Sequence, residues 1–126
     1  MSILKNENIK DSFKNAANGL AYAWKTQKNM KFHILFASFA IVLGILLPLS
    51  ILEWVLLSVS IFGVITAELF NTAIEILIDF VESKKSIYVK LVKDVAASAV
   101  LLFVIGAIIV GCIIFIPKIL MLIGVL

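Results

Sequence analysis

The sequence predicts an all-α membrane protein: an N-terminal amphipathic surface helix and then three transmembrane helices, in one membrane domain over 1–126. Three observations carry that reading. The chain has 126 residues and is 63% apolar, where a soluble domain of this size sits nearer one half. The excess is gathered into three runs, each approaching or exceeding the roughly 20 residues that cross a bilayer. Lysine supplies all 11 positive charges, and it alternates between rich and poor segments in step with those runs.

The surface helix is expected over about 6–28. Ile9, Phe13, Ala16, Leu20 and Ala23 (or Trp24) recur at spacings of three and four, while Lys10, Lys14, Lys25 and Lys28 fall elsewhere on its circumference. That is the pattern of an amphipathic helix. With Phe13, Tyr22 and Trp24 among its residues it suits a membrane surface. A soluble helix packed on the bundle fits the pattern equally well. Residues 1–31 are polar and lysine-dotted with no apolar core, unlike a signal peptide, so retention in the membrane falls to the internal spans.

Transmembrane helices are expected at about 30–48, 52–80 and 93–117. The first run ends at Pro48 and the third stops at Pro117-Lys118. Small residues Ala96-Ala97-Ser98-Ala99 at the head of the third permit close helix approach. Trp24 and Trp54 fall near expected interfaces, where aromatic belts are usual. Cys112, the one cysteine, has no disulfide partner in the chain and reads as a small apolar packing residue.

The net charge of +3 does not point to nucleic acid, because the lysines flank apolar spans. They read as topology signals and as contacts to anionic headgroups. Lys5, Lys10, Lys14, Lys25, Lys28 and Lys31 precede the first span, and the first link has no lysine. The second link holds Lys84, Lys85, Lys90 and Lys93, and only Lys118 follows the third span. This puts the N-terminus and second link in the cytoplasm and the C-terminus outside.

The chemistry lies in the second span. Glu68, Asn71, Glu75 and Asp79 interrupt an otherwise apolar helix, and an ionised side chain near the bilayer centre costs about 2.5 kcal/mol or more. At about 100° per residue the four share one stripe about 80° wide, with Thr72 beside it. Clustered carboxylates repel unless a cation sits among them. A divalent metal is one solution, and a lysine is another. The second span runs from outside to inside, so Glu75 and Asp79 approach Lys90, Lys93 and Asp94 across the second link. Carboxylates suit Mg²⁺, which commonly binds through one or two of them plus substrate phosphates, and a lysine beside it holds phosphate. Glu68, about 10 Å deeper, is placed to act as general base toward a hydroxyl presented from the lipid. Such a layout suits transfer of a phosphoryl group from ATP to an alcohol in the bilayer, which mainly needs positioning and charge neutralisation. No G-x-x-x-x-G-K-[ST] loop is present. The same stripe also fits a proton or cation path or a polar seam between subunits. His33 reads as an interfacial or packing histidine, and Glu53 as a boundary residue.

Glu68-x-x-Asn71-Thr72-Ala73-Ile74-Glu75-x-x-x-Asp79 resembles the signature of the prokaryotic diacylglycerol kinase family. Lys93-Asp94-x-Ala96-Ala97-x-Ala99-Val100 resembles that family's second block. The resemblance runs from about Ser12 to Lys118. Asn29-Met30-x-x-His33, Ile51-x-Glu53-Trp54 and Ile114-Phe115-x-Pro117-Lys118 look like its Gram-positive undecaprenol kinase branch.

The resemblance implies an ATP- and Mg²⁺-dependent lipid kinase, a homotrimer in the bacterial cytoplasmic membrane with active sites between subunits. Undecaprenol is the implied acceptor and diacylglycerol the alternative. A small oligomeric proton-coupled transporter using Glu68 is the alternative of another class, but it has no evident need for the Lys93-Asp94 block. By resemblance Glu68 is the catalytic base, supported by Asn71, and Glu75 binds Mg²⁺. Asn15, Glu75, Asp79, Lys84, Lys85, Ser86, Lys93 and Asp94 would meet ATP. Glu68, Asn29 and Ala97 would border the lipid substrate. Gln27 stands where the family usually has a second metal-binding glutamate, so weaker metal affinity is expected. Phe70 replaces a usual smaller aliphatic residue.

Overall fold

A computed structural model of the chain describes residues 8–82 and 86–125. Among them the regular elements are α1 (Ile9–Thr26), α2 (Lys28–Leu46), α3 (Ile51–Val81) and α4 (Ile87–Leu122). By length and composition, α2, α3 and α4 can each cross a membrane.

α1 begins where the Asn8 side chain accepts a hydrogen bond from the Asp11 amide at 3.0 Å. Such a cap satisfies one of the free N–H groups of the first turn. Asp11 in that turn and Lys25 in the last both complement the helix dipole. Only Ala23 is buried, while Ile9, Phe13 and Leu20 of the apolar stripe are exposed. Of the apolar stripe, only Ala23 is thus covered by the bundle. A one-residue break at Gln27, in extended conformation, separates α1 from α2.

At the link between α2 and α3, Ser50 and Glu53 form a reciprocal capping box, each side chain bonding the other's backbone N–H. Lys118 of α4 reaches this link. Its Nζ donates to the Pro48 carbonyl at 2.9 Å and lies 3.1 Å from Glu53 Oε2. Beneath it Leu47, Leu57, Ile114 and Phe115 form the buried core, with Trp54 packed against them. The Trp54 ring also lies over Gly44, where a Cβ atom would sit 2.9 Å from it. The bare backbone of glycine is what allows α2 to approach so closely.

α3 and α4 form the principal helix pair. At 1.5 Å per residue their 31 and 36 residues span about 46 and 54 Å, more than the ~30 Å hydrocarbon core. Their end turns therefore project beyond it. Large apolar side chains such as Phe36, Phe62, Leu102 and Ile113 remain exposed along α2–α4, as expected of surfaces that face lipid or other helices.

The third span differs from the expected 93–117 at both ends. It starts at Ile87, where the Ser86 hydroxyl accepts from the Val89 amide at 3.2 Å. It also runs through Pro117 to Leu122. Proline lacks the N–H that would bond the carbonyl four residues earlier, yet its fixed φ is helical. Membrane helices tolerate this where neighbours absorb the freed groups. Here Lys118, the next residue, ties this part of α4 to the α2–α3 link.

Candidate functional site

The polar stripe of α3 is graded by depth. Glu68, Asn71 and Thr72 are buried, Glu75 is half-buried and Asp79 is exposed. Thr72 Oγ1 donates to the Glu68 carbonyl at 2.8 Å, one turn back. Asn71 Nδ2 donates to Glu75 Oε1 at 3.2 Å, the i,i+4 spacing that aligns side chains on one helix face. At the end of the stripe, Lys93 Nζ of α4 donates to Asp79 Oδ1 at 2.5 Å. α3 and α4 thus meet through an ion pair beside the carboxylate ladder.

The deepest carboxylate is almost wholly enclosed, at 1% exposure. His33 of α2 is a charge-capable neighbour, its Nε2 3.7 Å from Glu68 Oε2. That exceeds hydrogen-bond distance. His33 Nε2, Glu68 Oε2 and Asn71 Oδ1 are all buried without a hydrogen-bond partner. A buried polar atom left unpaired costs about 1–3 kcal/mol, so such groups mark places where a further ligand belongs. An apolar cavity of about 330 Å³ opens beside His33 between α2, α3 and α4. Phe36, Leu43, Ile61, Val104 and Phe115 are among the residues that line it.

The structure brings together Glu68, Asn71 and Glu75 on one helix and joins Asp79 to Lys93. Asp94 pairs with Lys90 on its own helix, so of the Lys93-Asp94 block only Lys93 reaches the α3 stripe. Residues four apart on a helix are placed to pair in this way. Ala96 is buried, whereas Ala97 is exposed. Asn15 and Asn29 are exposed, Gln27 is half-buried at the α1–α2 break, and Ser86 caps α4. Lys84 and Lys85 lie outside the described residues. His33 beside Glu68 is the functional neighbour that sequence reasoning missed. It lies 35 positions away, and only the rotation of α2 against α3 reveals it.

Among the described residues no three His, Cys, Asp or Glu side chains stand close enough to hold a metal alone. The Glu75 carboxylate and the unpartnered Asn71 Oδ1 are nonetheless hard oxygen donors on one face. They suit Mg²⁺, which keeps most of its shell as water and substrate phosphate. The donor set therefore fits a metal that arrives with a nucleotide.

Comparison with known proteins agrees with this chemistry. The profile of one family, prokaryotic diacylglycerol kinase, matches residues 14–115. An undecaprenol kinase from Bacillus subtilis (strain 168) is 38% identical over 107 residues, 85% of this chain and 87% of that protein. A diacylglycerol kinase from Synechocystis sp. is 36% identical over 114 residues, 90% of this chain and 65% of the relative. A diacylglycerol kinase from Helicobacter pylori (strain J99) is 35% identical over 85 residues, 68% of this chain and 66% of that protein.

Proposed function

Because this chain belongs to the prokaryotic diacylglycerol kinase family, we propose that it is a lipid kinase moving the γ-phosphoryl group of ATP to a membrane lipid alcohol, with undecaprenol as acceptor and undecaprenyl phosphate as product. The observation that carries the reading is the graded stripe on α3. An enclosed, unpaired carboxylate at Glu68 lies at its deep end, and the Asp79–Lys93 pair lies at its exposed end. A buried hydroxyl and a water-borne nucleotide meet along such a stripe. The similarity to an undecaprenol kinase over most of both chains favours undecaprenol. The diacylglycerol kinases among the relatives support diacylglycerol as second acceptor.

Each residue has a distinct task. Glu68 takes the acceptor's hydroxyl proton as general base. The freed oxygen bonds the γ-phosphorus, the bond to the β–γ bridging oxygen breaks, and ADP leaves. Asn71 holds the Glu75 carboxylate in place through its amide. Lys93, kept near the stripe by Asp79, receives phosphate oxygens as a point charge. Mg²⁺, when bound at Glu75 with the nucleotide, neutralises charge on the phosphates. Gln27 contributes a neutral carbonyl where a carboxylate would bind metal more firmly. Asn15, Ser86, Asp94, Lys84 and Lys85 border the nucleotide, and Asn29 and Ala97 border the lipid.

The protein works as a homotrimer in the bacterial cytoplasmic membrane, its N-terminus in the cytoplasm and its C-terminus outside. The exposed apolar faces of α2–α4 leave ample surface for subunit packing, and the exposed stripe on α1 suits the membrane surface. Purified protein in detergent or lipid, given labelled ATP and Mg²⁺ with undecaprenol or diacylglycerol separately, tests the reading. Transfer to undecaprenol is expected. Preference for diacylglycerol reassigns the acceptor, and transfer to neither defeats the proposal.

A further inference from the structure

Two atoms in the core are aimed at one another yet make no bond. His33 Nε2 and Glu68 Oε2 stand 3.7 Å apart, buried, and neither has a hydrogen-bond partner. The Glu68 side chain is 1% exposed and that of His33 16%. The space beside His33 is the largely apolar cavity between α2, α3 and α4. A direct bond between them would need only a small approach, so the gap is the feature to explain.

A hydroxyl oxygen would bridge the two groups. Such an oxygen sits about 2.7 Å from a carboxylate oxygen and about 2.9 Å from a ring nitrogen, distances that span the observed separation once the two groups open by less than about 1 Å. A hydroxyl donates and accepts at the same atom. Its proton goes to Glu68 Oε2, and its lone pair receives the N–H of His33 Nε2. A carbonyl cannot donate to Glu68, and a methylene leaves both groups unpaired. The cavity beside His33 gives the carbon next to that hydroxyl an apolar place to lie.

We propose that His33 is a positioning residue for the acceptor alcohol, holding its hydroxyl oxygen against Glu68 from the α2 side. The inference rests on the lipid-kinase reading above. His33 itself carries no proton away. It fixes the oxygen so that the hydroxyl proton points at Glu68 and the remaining lone pair is free to face the phosphorus. Orientation of this kind accounts for large parts of enzymatic rate. It also favours a primary alcohol, since the hydroxyl must pass between two helices to reach the gap.

The test compares His33→Leu and His33→Gln with wild type in the full-length protein. Glutamine places an amide N–H near the position of Nε2, whereas leucine matches the bulk and donates nothing. Three quantities are read for each: kcat and KM for undecaprenol, and the affinity for ATP. The expected result is a loss of about 100-fold in kcat/KM for the alcohol in His33→Leu, the order of the cost of misplacing a reacting group by about 1 Å. ATP affinity should hold, and His33→Gln should recover most of the loss. Three results overturn the proposal: His33→Leu as active as wild type, glutamine no better than leucine, or ATP affinity falling in parallel, which would give His33 a merely structural role. A wild-type protein that transfers phosphate to no lipid alcohol overturns the kinase reading itself, and this inference with it.

Discussion

Asn71 offers the sharpest quantitative test of how the stripe works. Its amide is the hydrogen-bond donor to Glu75 at 3.2 Å, and its Oδ1 is buried without a partner. Replacing it with leucine keeps the helix and the bulk but removes both functions. A hydrogen bond to a charged group contributes about 1.5–3 kcal/mol, which at about 1.4 kcal/mol per decade corresponds to a fall of roughly 10- to 150-fold in kcat/KM. Replacing it with aspartate does something different. A carboxylate oxygen would stand where Nδ2 now is, 3.2 Å from Glu75 Oε1. At an effective dielectric near 20 that repulsion is about 5 kcal/mol. A proton on one carboxylate or a cation between the two relieves it, and only the second leaves both able to bind metal. Asn71→Asp should therefore be nearly inactive at low Mg²⁺ and recover in part as Mg²⁺ is raised, while Asn71→Leu should not recover. The assay is labelled phosphate transfer to undecaprenol across a Mg²⁺ titration. Activity of Asn71→Leu near that of wild type, or identical Mg²⁺ curves for the two variants, would refute the role given to Asn71.

Further expectations follow from the same geometry. Lys93→Met should raise the KM for ATP by about tenfold or more, the weight of one charge-assisted contact to phosphate, and leave the KM for the alcohol unchanged. An equal rise in both would break the division between nucleotide and lipid ends. Gln27→Glu should lower the Mg²⁺ concentration needed for half-maximal activity, and an unchanged titration would show that Gln27 is not near the metal. The two tight glycines should behave differently in thermal unfolding. Alanine at Gly44 meets the half-buried Trp54 ring and Leu49, so overpacking of about 1–3 kcal/mol should exceed the gain of up to about 1 kcal/mol in helix propensity. Alanine at Gly63 meets Phe103, an exposed residue whose ring has more room to yield than Trp54, so Gly63→Ala should be neutral or stabilising. The reverse order of melting temperatures would contradict the packing described.

Much of this architecture is written in local pattern. Run length and lysine spacing mark three spans because a bilayer imposes a length and an asymmetry on the chain. The stripe of Glu68, Asn71, Glu75 and Asp79 is legible because helical periodicity places them together whatever else surrounds them. The Asp79–Lys93 pair follows from a short link that returns α4 to the end of α3. What stays hidden depends on packing between helices. His33 reads alone as a packing residue, since nothing in the sequence tells how α2 is rotated toward Glu68. Pro117 reads as a stop because its missing N–H is a local fact, whereas the tie of Lys118 to Pro48 and Glu53 depends on tertiary packing. Asp94 is the opposite lesson. Its bond to Lys90 is an i,i+4 pair, a spacing the sequence shows without any packing between helices.

The central claim is that Glu68 takes a proton from a lipid alcohol while the nucleotide is bound elsewhere along the stripe. The most direct measurement is the rate of phosphate transfer to undecaprenol by Glu68→Gln, read beside its affinity for ATP. Glutamine keeps the shape and removes the base. The account predicts that transfer falls by about 100-fold or more, the contribution of a positioned general base, with ATP affinity unchanged. Transfer within a few-fold of wild type, or a loss of ATP binding that matches the loss of rate, would contradict it.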